Sequence, residues 1–288
     1  MHMLARGLPI VLLSFVALPA VAATMPTPSI TILAPAAGSS VATSEIPVSV
    51  ATKNFSVECA HVGQPGVPGR GHIHAMVDGT SMAVMTNVYC SKRFTISGEG
   101  LQPGKHTLAV ILATDAHDNA SMPAEVTFTY QPQSALPLPA SAETGKPSLT
   151  ILSPGNGARV GKTFDLKVAV SNFQLSCNLE GRPNVSGYGH LHVFVTQPGI
   201  TDKPSWAPKM PMEPMGGSSS SMKGESPMAG EMKMMSMIGM IGMPCATTIP
   251  VDLSQWHTGK AKIVVMFANN DHEPTMGVAA AAVTVNVR

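Results

Sequence analysis

From Ser29 onward, apolar and polar side chains alternate in short runs broken by Gly, Pro, Asn and Ser. Alternation with a period of two marks a half-buried β-strand. In the first half of the chain such runs lie near 29–33, 46–51, 55–59, 71–78, 92–97, 105–113 and 124–130. Residues 71–78 carry the pattern clearly. Ile73, Ala75 and Val77 fall on one face, and His72, His74, Met76 and Asp78 on the other, because successive strand side chains point to opposite sides. The apolar set should face a core, which leaves the His pair outward or toward a rim. About seven such strands in about 100 residues predict an all-β fold, an immunoglobulin-like or fibronectin-like Greek-key sandwich.

The pattern then repeats. Pro28-Ser29-Ile30-Thr31-Ile32-Leu33 returns as Pro147-Ser148-Leu149-Thr150-Ile151-Leu152, and Asn54-Phe55 returns as Asn172-Phe173. Cys59 precedes His72 by 13 positions, and Cys177 precedes His190 by 13. Leu101-Gln102-Pro103-Gly104-Lys105 aligns with Trp256-His257-Thr258-Gly259-Lys260; without a gap, Cys90 falls on Cys245 and His117 on His272. Two tandem sandwiches are expected, over 28–131 and 147–288. A Pro/Ala-rich linker over 132–146 should run fairly extended between them.

Composition supports this reading and narrows the function. Pro (25) and Gly (26) are abundant, while aromatic (5%) and charged (12%) residues are few. A net charge of +1 gives no electrostatic basis for binding nucleic acid or an anionic membrane surface. Residues 1–23 read as a signal peptide: Arg6, an apolar run from Leu8 to Val16, and small residues at Ala20-Val21-Ala22. That run is too short for a stable membrane span, and the mature chain offers no other. The expected address is periplasmic or secreted. In such a compartment, Cys pairs at matching places predict disulfides Cys59–Cys90 and Cys177–Cys245.

The candidate chemistry lies in the His residues. Gly71-His72-Ile73-His74 and Gly189-His190-Leu191-His192 each put two imidazoles on one strand face. His117 and His272 follow the strands 105–113 and 260–268 in acid-containing turns, Asp115-Ala116-His117-Asp118 and Asn270-Asp271-His272-Glu273. The expectation is two three-His metal sites, one of His72, His74 and His117, the other of His190, His192 and His272. Three imidazoles suit copper(II), with zinc as the alternative. His106 and His61 have no His at the matching positions and read as incidental.

A second donor set lies in an insertion. His74 to Cys90 spans 16 positions and His192 to Cys245 spans 53. The insertion, 208–243, holds 11 of the chain's 20 Met, among them Met232, Met234, Met235, Met237, Met240 and Met243. Its Gly216-Gly217 and Ser218 to Ser221 predict a mobile loop. Thioethers in such a loop are soft ligands suited to copper(I).

Gly-His-x-His, the strand Leu101-Gln102-Pro103-Gly104-Lys105-His106-Thr107-Leu108, and Asp115-Ala116-His117 together resemble a bacterial family of secreted His-rich domains with no assigned activity. The resemblance spans both repeats and implies an immunoglobulin-like fold, although the family's Asp-x-x-His is here shortened to Asp115-Ala116-His117. The second repeat departs from it by lacking the His-Thr-Leu step. Gly71-His72-Ile73-His74 is also similar to the copper strand of copper–zinc superoxide dismutases, although their bridging and zinc ligands have no counterpart here. The Met-rich loop looks like that of periplasmic copper-resistance carriers.

The resulting expectation is a periplasmic copper-binding carrier, buffer or resistance factor without catalysis, whose partners are a metal ion and a copper-handling protein. The rivals are a structural or adhesion module in which the His only pack, and a superoxide-dismutase-like redox enzyme.

Overall fold

The computed structural model describes residues 26–78, 88–200 and 239–288. No helix occurs among them. The first domain comprises β1 (Ser29–Ala34), β2 (Ser40–Val41), β3 (Glu45–Lys53), β4 (Ser56–Val57), β5 (Arg70–Val77), β6 (Arg93–Ser97), β7 (Gly104–Ala113) and β8 (Ala124–Tyr130). The second comprises β9 (Ser148–Ser153), β10 (Arg159–Val160), β11 (Thr163–Ser171), β12 (Gln174–Leu175), β13 (Tyr188–Thr196), β14 (Met240–Gly242), β15 (Thr248–Asp252), β16 (Gly259–Ala268) and β17 (Ala281–Val287).

Each domain is a two-sheet sandwich of immunoglobulin-like order. In the first, a sheet β1-β3-β6 faces a sheet β2-β8-β7-β5-β4; in the second, β9-β11-β15 faces β10-β17-β16-β13-β12, with β14 added to β13. The alternating strands put Ile73, Ala75 and Val77 into a core with Val48, Leu108, Val110, Leu112, Phe128 and Tyr130. Leu191, Val193 and Val195 do the same in the second domain, against Leu166, Ile263, Val265 and Phe267. Burying each such side chain contributes about 1.5–3 kcal/mol, which fixes the strand register against a one-residue slip. The run at 55–59 pairs only over Ser56–Val57. Edge strand β2 pairs over two residues, too few to leave any alternation in the sequence. Both anticipated disulfides are formed, Cys59–Cys90 and Cys177–Cys245.

Two expectations fail on packing. The His-bearing faces of β5 and β13 are not open to solvent: His72, His74, His190 and His192 are all buried. The outer faces of the two larger sheets turn toward each other, and Ala113 and Val88 of the first domain pack with Phe194, Met240, Met243, Val264 and Met266 of the second. The end of the Met-rich insertion is not a free loop either. Met240 lies on β14, paired with Phe194 of β13, and Met240 and Met243 are both buried in this interdomain cluster. An apolar cleft between two sheets takes up thioether side chains as readily as any other flexible apolar group. Met232, Met234, Met235 and Met237, and residues 1–23, read above as a signal peptide, lie outside the described residues.

The domains grip each other reciprocally. Gln64 and Arg182 each stand five positions after the first Cys of their repeat. Gln64 Nε2 donates to the Gln255 carbonyl across the interface at 3.2 Å. Arg182 Nε and Nη2 donate to the carbonyls of Glu99 and Ser97 at 2.9 and 2.7 Å. The linker runs along both domains, with Gly100 N–H donating to Leu136 O (2.6 Å) and Ala142 N–H to Ser186 O (3.0 Å).

Candidate metal centres

Three backbone features bring the His side chains together in each domain. The first is the Gly before the pair. A Cβ at Gly71 would lie 2.0 Å from the Ala113 carbonyl oxygen, and one at Gly189 would lie 2.1 Å from that of Ala268. Only Gly lets the His strand meet the end of its partner strand this closely. The second is the strand pairing itself, which sets His72 opposite Ala113 and His190 opposite Ala268. The third is the turn that follows. His117 N–H donates to Thr114 O and Thr114 N–H to Asp118 O; His272 N–H donates to Asn269 O and Asn269 N–H to Glu273 O. These turns hold His117 at φ 65° and His272 at φ 64°. Left-handed backbone in a non-Gly residue costs about 1–2 kcal/mol, and it throws each imidazole back over the sheet.

The outcome is two compact triads. His72 Nε2, His74 Nε2 and His117 Nδ1 are separated by 2.9, 3.1 and 3.3 Å. In the second domain His190 Nε2 lies 3.0 Å from His192 Nε2 and 3.2 Å from His272 Nδ1. A circle through the first three nitrogens has a radius of roughly 1.8 Å. Nitrogens this close would let His72, His74 and His117 together hold one ion at bonds of about 2.0–2.1 Å. All six imidazoles are buried. Each triad can hold a metal ion.

The electrostatics prepare the nitrogens for a cation. Burial, then the neighbouring His117 and His74, hold His72 well below the usual imidazole range. Burial and His74 bring His117 down to about 3, against the carbonyl of Met240, which accepts from its Nε2. Burial brings His192 down to about 4. Burial lowers His190 and His272 as well, with His192 opposing a proton on the first and His190 on the second. Across the interface a charge on His192 opposes one on His117, and a charge on His74 opposes one on His272. The triads are therefore neighbours. Neutral imidazoles in such a triangle cannot all donate to one another, so lone pairs converge. A cation relieves that repulsion without having to displace protons.

The two sites differ in what surrounds them. In the first, Arg70 Nε binds the buried Asp115 carboxylate at 3.0 Å; Tyr188 and Asn270 stand at the matching places. Burial raises Asp115, with the Arg70 hydrogen bond and charge opposing. In the second, the buried Glu180 places Oε1 3.9 Å from His190 Nδ1. Sequence reasoning passed over Glu180. Its signal was an acid aligned with the apolar Val62. The carbonyl of Met240 was also missed, since backbone leaves no mark in a motif. His106 pairs with Asp78 (2.5 Å) and the Gln102 carbonyl (2.7 Å), and His61 with Glu58 (3.1 Å). Neither belongs to a triad. Cys177, Glu180 and Cys245 also cluster, but the disulfide removes the two thiolates a metal would need.

No known family matches the sequence, and no curated protein does. Among solved structures, the chain is similar to the fibronectin(III)-like modules of Clostridium thermocellum CbhA, at 10% identity and TM-score 0.25, covering 90% of this chain and 94% of that one. It is also similar to a tetra-tandem repeat from the extending region of a large adhesion protein, at 10% identity and TM-score 0.23, covering 91% and 50%. The outer capsid protein Hoc of bacteriophage RB49 gives 11% identity and TM-score 0.20, covering 91% and 70%.

Proposed function

We propose that the protein is a periplasmic or secreted copper-binding protein that carries or buffers the ion, or serves as a resistance factor, without catalysing a reaction. The observation that carries this reading is the convergence of three buried, proton-poor imidazole nitrogens at 2.9–3.3 Å. Such a tripod suits copper or zinc. The Met-rich insertion tilts the choice to copper, because thioethers hold copper(I) and are indifferent to zinc(II). Its described end, at Met240, touches the first triad through His117. The leader and the two disulfides agree with an oxidising compartment. Burial of both triads favours holding an ion over turning over a substrate. In this reading a copper-handling protein delivers or receives the ion.

The test is a metal titration of the mature protein followed by mass spectrometry under native conditions. Two ions per chain are expected, falling to one in His74→Ala and in His192→Ala. Replacing Met232, Met234, Met235 and Met237 by Leu should weaken copper(I) capture and leave copper(II) stoichiometry unchanged. A wild-type protein that binds no metal would instead be an immunoglobulin-like module whose His residues only pack.

A further inference from the structure

The two triads share a skeleton and differ in one buried charge. Val62 and Glu180 each stand three positions after the first Cys of their repeat. They occupy the same turn: Val62 N–H donates to Cys59 O at 3.2 Å, and Glu180 N–H to Cys177 O at 3.3 Å. Both are 6% exposed. The glycine that follows docks in both cases on the His-bearing turn, Gly63 N–H on Asp115 O and Gly181 N–H on Asn270 O. Where the first domain puts a methyl-bearing side chain, the second puts a carboxylate against the His190 ring.

Charge balance in a buried site then separates the two. A divalent ion on three neutral imidazoles leaves two uncompensated positive charges away from water, and a monovalent ion leaves one. A buried cation is tolerated in proportion to the opposite charge near it. Among the described residues, the buried carboxylate of the first domain is Asp115, and Arg70 binds it at 3.0 Å. The first triad's outer contact is a neutral dipole, the Met240 carbonyl on His117 Nε2 at 3.3 Å. The second triad has Glu180. Metal on His190 Nε2 leaves the ring's proton on Nδ1, which has no hydrogen-bond partner among the described residues. Glu180 Oε1 is an acid 3.9 Å away that can take it up with a small shift. A carboxylate behind a ligating imidazole orients the ring and raises its basicity toward the ion.

We propose that Glu180 makes the second triad selective for a divalent ion, and that the first triad, with Val62 in its place, is the site for a soft monovalent ion such as copper(I). Glu180 acts through His190 and is a positioning residue. The inference rests on the reading that the triads bind metal. It gives the protein one site for each oxidation state of copper, held side by side across the domain interface.

The experiment compares single-site proteins, His74→Ala with the second triad alone and His192→Ala with the first. Affinities for zinc(II) and silver(I), redox-silent stand-ins for copper(II) and copper(I), are measured by competition with chromophoric chelators. The second triad should favour zinc(II) over silver(I) by roughly 10–100-fold more than the first does. Glu180→Gln keeps the shape and should erase that difference, and Glu180→Asp should restore part of it. Val62→Glu in the first triad should raise its zinc(II) preference. If both triads bind metal with the same preference, or Glu180→Gln leaves the second unchanged, Glu180 has no such role. If neither triad binds any metal, the metal reading itself falls and this inference with it.

Discussion

The first and second triads have nearly the same geometry and different surroundings. The Gly with no room for a Cβ, the His at positive φ and the 3 Å triangle occur in both. Arg70 and Asp115 give way to Tyr188 and Asn270, and Val62 gives way to Glu180. Three ligand atoms can be aimed at one point in few ways, so the backbone devices that aim them recur. Groups that only set the field around that point are free to differ. Geometry is thus the shared property of the two sites, and charge is the property that divides them.

Acid is the strongest way to probe the shared part. The unfolded chain takes up imidazole protons near pH 6.5, whereas His117 does so only near 3 and His192 only near 4 in the folded protein. Between those limits the unfolded state binds more protons. Stability is therefore complete above about 6.5 and declines as pH falls toward 3–4. The metal-free protein should unfold in that interval with both domains leaving together, as seen by near-UV circular dichroism against pH. Bound metal should move the transition to lower pH. Two well-separated acid transitions would break the equivalence of the two sites.

A smaller effect tests the backbone devices. Gly71→Ala and Gly189→Ala should each cost about 3 kcal/mol in urea unfolding, through the clash with the Ala113 or Ala268 carbonyl, and Gly71→Ala should cost more because its φ of 146° adds backbone strain. A cost below about 1 kcal/mol at either position would mean that the strand crossing there can relax. Smaller still, Met240→Ala should cost about 2–3 kcal/mol through the cavity it leaves. It should also perturb the first triad, visible as shifted His117 ring resonances, although Met240 belongs to the second domain. Unchanged His117 signals would show that β14 does not link the two sites.

Most of the fold was legible because the strands alternate cleanly: β1, β3, β5, β6, β7 and β8 fall on the apolar–polar runs near 29–33, 46–51, 71–78, 92–97, 105–113 and 124–130. The edge pairs were not legible, since two residues carry no period. The six His were legible as two sets because alternation puts His72 with His74, and His190 with His192, and the repeat alignment marks His117 and His272. Their burial was not, because a face polar in sequence reads as wet. Met240 and Met243 were read as loop because their composition matches their neighbours in the insertion, while their packing does not.

The sequence by itself determined what local periodicity and internal repetition can encode: the strands, the Cys partners, and which imidazoles share a face. Only the tertiary structure decided where those faces lie. Docking of one sheet on the other turned two outward His pairs into buried neighbours, drew Met240 over His117, and set Glu180 behind His190. These contacts join residues such as 117 with 240, 64 with 255, and 97 with 182. No short-range pattern encodes a pairing of that kind, because it depends on how two finished surfaces fit rather than on how either one folds.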